Sequence, residues 1–197
     1  MALEEVLELT GDEIALDFGC GSGRFSYWIA PKVKKVLGLE MTPEMIDLAE
    51  RNRTAGNVEF ILYDGVHFPV LPYEVDFILS VWVLQYMERE TLKRTVSELA
   101  RHLKSGGRFY LIEQASDNLR AGRLSLKEYL NAFQELKLEC LLHCPIRNGR
   151  WWLLYLIRYG VIPEGWYHRI ASYELKKRRE EGDFIRSYKD FLFLLRK

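Results

Sequence analysis

Ile14-Ala15-Leu16-Asp17-Phe18-Gly19-Cys20-Gly21-Ser22-Gly23 is the stretch on which the fold turns. A short apolar run carrying one carboxylate near its end gives way to three glycines at every second position, and an amphipathic segment follows at once. That order predicts a buried strand, a tight turn and a helix. Gly19, Gly21 and Gly23 let the backbone turn sharply and approach a ligand where any side chain would collide. Ligands on open α/β sheets bind outside the carboxyl ends of the strands, which is where this turn falls. The dinucleotide fingerprint GxGxxG requires glycine at position 24, where this chain has Arg24, so a pyrophosphate cradle is the weaker reading. By itself, GxGxG is also what any tight strand-to-helix turn looks like.

Outward from this turn, short apolar runs alternate with amphipathic segments, the pattern of a parallel sheet flanked by helices. Strands are predicted near 13–18, 33–39, 58–62, 74–81 and 107–114, and helices near 23–30, 43–53, 88–103 and 125–136. Thr42-Pro43 reads as an N-cap followed by proline at the first helical position, and Ser125 with Glu128 as a capping box. Ser105-Gly106-Gly107 reads as the close of the long helix. A strand at 137–146, an aromatic helical stretch at 150–181 and a strand from Tyr188 to Leu195 complete the chain. The expected organisation is one α/β domain over 1–197, with a helical insertion at about 147–185.

Composition narrows the class. Twenty-eight Lys and Arg balance 28 Asp and Glu, and 48% of the 197 residues are hydrophobic, which excludes a disordered chain and a polybasic nucleic-acid binder. The longest apolar stretch, about Trp151 to Ile157, falls far short of the roughly 20 residues that span a bilayer. Met1 to Glu8 carries three glutamates and lacks the basic and apolar regions of a secretory signal. Cys20, Cys140 and Cys144 have neither disulfide-framework nor zinc spacing, so no metal is expected and a reducing, cytoplasmic setting is.

Other strand ends carry matching chemistry. The second strand ends at Glu40, whose carboxylate can accept both hydroxyls of a ribose, and the thioether of Met41 can pack on a purine face. The third runs into Asp64-Gly65, where a carboxylate can accept an exocyclic amino group and a bare backbone N–H can meet a ring nitrogen. Any one of these acids could be a surface or capping carboxylate. Set at the ends of successive strands beside the glycine turn, they point to an adenosine-containing ligand.

With these residues in place, the chain resembles the class I S-adenosylmethionine-dependent methyltransferases. The resemblance rests on ALDFGCGSG (15–23), VLGLE (36–40), VEFILYDG (58–65), VDFILSVWVLQYM (75–87) and LKSGGRFYLIEQ (103–114). It implies a Rossmann-like α/β fold with a seven-stranded, mostly parallel sheet and an antiparallel last strand. It also implies that S-adenosylmethionine is the cofactor, with Asp17, Gly19, Gly21 and Gly23 facing its methionine part and Glu40 its ribose. Met41, Asp64 and Gly65 would surround the adenine, and backbone at Ser80 and Val81 would complete the methionine pocket.

The catalytic residue stays unassigned. His67, Gln85, Tyr86, Glu113 and His143 could lie near strand ends, but each reads more readily as an exposed loop residue or a satisfied partner at the sheet edge. The fourth strand ends in SVWVLQY, without the Asn/Asp-Pro-Pro-aromatic motif of many amide and exocyclic-amine methyltransferases. Gln85 stands where many small-molecule relatives have histidine.

Trp151, Trp152, Tyr155, Tyr159, Trp166, Tyr167 and Tyr173 crowd the insertion, together with an excess of basic residues. The insertion could be a substrate lid, a packed helical hairpin, a dimer surface or a contact with anionic lipid. If a helix begins by Arg147, then Arg147, Trp151 and Arg158 form a stripe suited to an anionic acceptor such as a phosphorylated or lipid-linked sugar. The expected function is methyl transfer to a small-molecule or glycan acceptor. Its rival is a non-catalytic module that binds a partner through the insertion.

Overall fold

Apolar runs long enough to be covered on both faces form the centre of a seven-stranded sheet. The computed structural model describes residues 2–117, 122–148, 162–181 and 188–197. Its strands are β1 (Ile14–Phe18), β2 (Lys35–Glu40), β3 (Val58–Leu62), β4 (Val75–Val81), β5 (Leu103–Ala115), β6 (Glu139–Asn148) and β7 (Lys189–Arg196). The helices are α1 (Arg24–Ile29), α2 (Pro43–Arg51), α3 (Arg89–His102), α4 (Leu126–Glu135) and α5 (Tyr167–Glu181).

The strand order is β3-β2-β1-β4-β5-β7-β6, and β7 alone runs against its neighbours β5 and β6. The sheet is therefore Rossmann-like, mostly parallel and closed by an antiparallel last strand. Connections from β1 run outward through β2 to β3, whereas β4 starts the other half on the opposite side of β1. This reversal opens a crevice at the carboxyl ends of β1 and β4, directly above the glycine turn.

Two cores sandwich the sheet. On one face α3 and α4 bury Leu92, Val96, Tyr129 and Phe133 against Phe191 and Phe193. On the other, Ile29 of α1 and Leu3 join Val36, Phe77, Tyr110 and Leu192. Alternation along β7 accounts for the split, since Phe191 and Phe193 point one way and Leu192 the other.

Some of the expected local signals form and others do not. The Ser125–Glu128 capping box forms in both directions at the start of α4. Thr42 is the N-cap residue of α2, but its side chain caps nothing; its N–H instead donates to Glu40. Ser105–Gly107 does not close α3, which ends at His102; these residues belong to the long β5, because Leu103 already pairs with Val75. Arg147 does not begin a helix. It lies in β6 opposite Asp190, after a register shift between Pro145 and Arg147. The expected basic stripe therefore loses its first member, while Trp151, Trp152, Tyr155, Arg158 and Tyr159 lie outside the described residues. Helix is present over Tyr167–Glu181 of the expected 150–181.

Candidate active site

Asp17 sits one residue before the end of β1, 3% exposed, and accepts a 2.6 Å hydrogen bond from Ser26 Oγ of α1. Burial pushes its carboxyl up to about 6, against the opposing pull of Ser26. Gly19, Gly21 and Gly23 all take positive φ, at 71°, 54° and 80°. At Gly19 a Cβ would lie 2.3 Å from Val83 Cγ2, so the glycine lets the β1 turn pack against the turn that follows β4. At Gly21 a Cβ would meet nothing within 4 Å, which leaves open space over the turn. The N–H groups of Gly19 and Cys20 donate to Leu39 O, tying the turn to β2.

Glu40 ends β2 at the rim of this space. Its Oε2 accepts from Gly21 N–H and its Oε1 from Thr42 N–H, each at 3.0 Å. A carboxylate offers about four acceptor positions, so two remain for a ligand. Beyond it Met41 is 59% exposed, and its Cε lies 3.3 Å from where a Gly65 Cβ would stand, which gives Met41 room only because residue 65 is glycine. Asp64 caps its own turn: Oδ1 accepts from Val66 and His67 N–H, and Oδ2 lies 2.7 Å from His67 Nδ1. These bonds hold its carboxyl down at about 2.

Ser80 is paired in register with Phe18 and wholly buried, its hydroxyl donating to Glu113 Oε1. Glu113 also accepts from the N–H groups of Val83, Leu84 and Gln85, so one carboxyl gathers the turn after β4. Burial pushes it up to about 8. The turn is strained at its first residue, Trp82, whose φ is 60° in the left-handed region.

On the α1 and α5 side of the sheet, past Val81 and Trp82, opens a cavity of about 710 Å³. Ile112, Ile146 and Phe25 form its walls, and Ala171 and Leu175 of α5 contribute the opposite side. Arg147 and Asp190 meet across β6 and β7, with Arg147 Nε 2.7 Å from Asp190 Oδ2. The Arg147 guanidinium also lies over the Trp82 ring, 4.8 Å from its centroid. Asp190 is 1% exposed, and burial raises its carboxyl above the ordinary range against the pull of Arg147.

Residues 15–107 match the model of a family described as a methyltransferase domain. The whole chain overlays a methyltransferase-fold structure from Bacillus halodurans with a TM-score of 0.72 and 18% identity, covering 97% of that chain. Residues 15–107 thus match a methyltransferase domain, within a fold shared with methyltransferase structures. A further structural neighbour, geranyl diphosphate C-methyltransferase from Streptomyces coelicolor, has a TM-score of 0.69 at 18% identity over 98% of this chain and 75% of that one; its structure holds S-adenosylhomocysteine. In sequence the chain is 32% identical over 137 residues to the malonyl-[acyl-carrier protein] O-methyltransferase of Hamiltonella defensa. That match takes in 68% of this chain and spans about half, 49%, of that relative.

The structure gathers Asp17, the three glycines and Glu40 around one turn, and brings Met41 against Gly65. Val81 faces the cavity, whereas the Ser80 side chain is spent on Glu113. The candidate bases fare differently. Glu113 is fully buried on backbone amides, and Gln85, 4% exposed, accepts from Gln114 N–H, so neither reaches open space. His67 is held by Asp64, and Tyr86 is exposed. His143 lies midway along β6, opposite Phe193 and away from the strand ends. Trp82 and Asp190 had escaped sequence reading. The signal for Asp190 was there: a carboxylate leading the otherwise apolar run Phe191 to Leu195.

Proposed function

We propose that the chain transfers a methyl group from S-adenosylmethionine to a small-molecule acceptor. The observation that carries this reading is the Glu40 carboxylate, anchored by Gly21 and Thr42 N–H groups beside the open glycine turn, with two acceptor positions free for a ribose diol. The donor set fits the cofactor: a bare Gly21, an adaptable Met41 over Gly65 and a carboxylate at Asp64. Asp17, Gly19 and Gly23 hold the turn toward the methionine part, and the backbone of Ser80 and Val81 borders it. The Asp64 carboxylate takes the adenine amino group in place of His67, and Gly65 leaves its N–H accessible to the ring.

When bound, S-adenosylmethionine supplies a methyl group already activated on a sulfonium, so the chain's own task is to bind, orient and exclude water. No side chain is assigned as a base. Zero net charge argues against a nucleic-acid acceptor. The phosphorylated or lipid-linked sugar expected from a basic stripe is not proposed, because Arg147 is engaged by Asp190 and Trp82.

Glu40→Ala tests the placement. Losing charged-acceptor bonds worth about 1.5–3 kcal/mol should weaken S-adenosylmethionine binding by roughly tenfold or more in calorimetry. A folded variant that binds as tightly as wild type overturns it. Transfer of a labelled methyl group into a metabolite extract then separates an enzyme from a non-catalytic module.

A further inference from the structure

We infer that Phe68 is the positioning residue of the adenine end: its ring, clasped by Phe18, Tyr63 and His102, holds the Asp64–Gly65 turn where Asp64 can read the exocyclic amino group. This rests on the cofactor reading above and names what gives that site its preference for adenine.

The turn fixes its own shape but not its place. Asp64 Oδ1 accepts from the N–H groups of Val66 and His67, and Oδ2 lies 2.7 Å from His67 Nδ1, so all of these bonds stay within four consecutive residues. Gly65, at a φ of 79°, puts the backbone freedom of glycine in the middle of it. Val66, His67 and Val70 are exposed. On the near side the turn is tied to the sheet, because Tyr63 N–H donates to Glu40 O at 3.0 Å. A turn tied at one end only can pivot about that end.

Phe68 supplies the second tie. Its ring centroid lies 6.4 Å from that of Phe18, 6.1 Å from Tyr63 and 4.9 Å from the His102 imidazole, stacked on the first and the last at interplanar angles of 24° and 23°. Phe18 and Tyr63 are themselves neighbours, with centroids 6.1 Å apart. Such ring pairs are directional as well as apolar, so they fix an orientation and not merely a depth. Burial lowers the His102 pKa, which favours a neutral imidazole in the stack.

Phe18 gives the clasp its reach. It closes β1 and stands directly before Gly19, while Tyr63 stands directly before Asp64. One ring cluster therefore joins the turn assigned to the methionine part and the turn assigned to the adenine. His102, the last residue of α3, fastens both to the helix layer. A shift of Phe68 would move the Asp64 carboxylate relative to Glu40 without altering either side chain.

The experiment is calorimetry on the full chain with two probes, S-adenosylhomocysteine and S-inosylhomocysteine, the second carrying a carbonyl oxygen in place of the exocyclic amino group. Wild type should prefer the first by roughly tenfold or more, since the second turns an acceptor toward Asp64. Phe68→Ala should reduce that preference to about threefold or less and weaken S-adenosylhomocysteine itself. Phe68→Leu, which keeps an apolar anchor and guards against an alanine variant that does not fold, should give an intermediate preference. Phe133→Leu, a core change among the α4 rings, should lower Tm and leave the preference at its wild-type value, which separates positioning from general destabilisation. An undiminished preference in the folded Phe68 variants, or an equal loss in Phe133→Leu, overturns the inference. Failure of wild type to bind S-adenosylhomocysteine overturns the cofactor reading, and equal binding of both probes overturns the Asp64 assignment; the inference falls with either.

Discussion

At Gly19 two constraints coincide: a φ of 71° and a Val83 methyl 2.3 Å from where a Cβ would stand. Valine is stiff, so it cannot swing aside as a long side chain would. Gly19→Ala should therefore cost about 1–3 kcal/mol and lower Tm by several degrees in a thermal scan. Asp17 yields a second expectation. Its carboxyl is raised to about 6 by burial, and in the proposed placement a cationic methionine ammonium would favour the ionised form. Below pH 6 ligand binding must first remove a proton, so S-adenosylhomocysteine affinity should fall as pH drops from 7.5 to 5. In Asp17→Asn that slope should vanish, and a flat wild-type profile would separate Asp17 from the ligand. Both residues were legible in the sequence because their chemistry is local. A glycine every second position and an acid near the end of an apolar run declare themselves without knowledge of the partners.

Elements show where such reading stops. The Ser125–Glu128 box at the head of α4 was readable, and Ser125→Ala should cost about 1 kcal/mol, seen as a small Tm decrease with unchanged cofactor affinity. A cofactor effect there would mean that α4 communicates with the crevice. The strand ends that carry Glu40 and Asp64 were also found. What the sequence hid is register. Nothing local to Arg147 shows that a bulge at Pro145 turns it toward Asp190, because that pairing depends on how β6 and β7 meet. The sequence accordingly leaves open a helix that begins by Arg147. Similarly, Glu113 looked like a candidate base, and only the fold shows it gathering Val83, Leu84 and Gln85 behind the sheet.

Among the described residues, burial raises three carboxyl groups, Glu113, Asp17 and Asp190, and these set the pH response. Glu113 is raised from 4.5 to about 8 and Asp17 from 3.8 to about 6, so the native state holds protons that the unfolded chain has released. Their stabilising contribution is complete below about pH 4 and is lost as pH rises to about 8. Carboxyls lowered in the fold, such as Glu128 and Glu135, act in the opposite sense only at acid pH. The urea midpoint of the ligand-free protein should thus be higher at pH 5.5 than at pH 8.5, and Glu113→Gln should flatten the difference. A midpoint that rises with pH over this range would contradict the buried, protonated state of Glu113.

The chain leaves the sheet after Asn148 and re-enters it at Lys189, and these two residues are register partners on adjacent strands. An excursion whose ends lie one strand spacing apart can be exchanged without moving either anchor. The residues proposed to grip the cofactor all precede it, in β1 to β4 and their turns. Descent with modification could therefore rewrite which molecule this scaffold accepts by trading the one cassette, while the inherited cofactor half stays untouched.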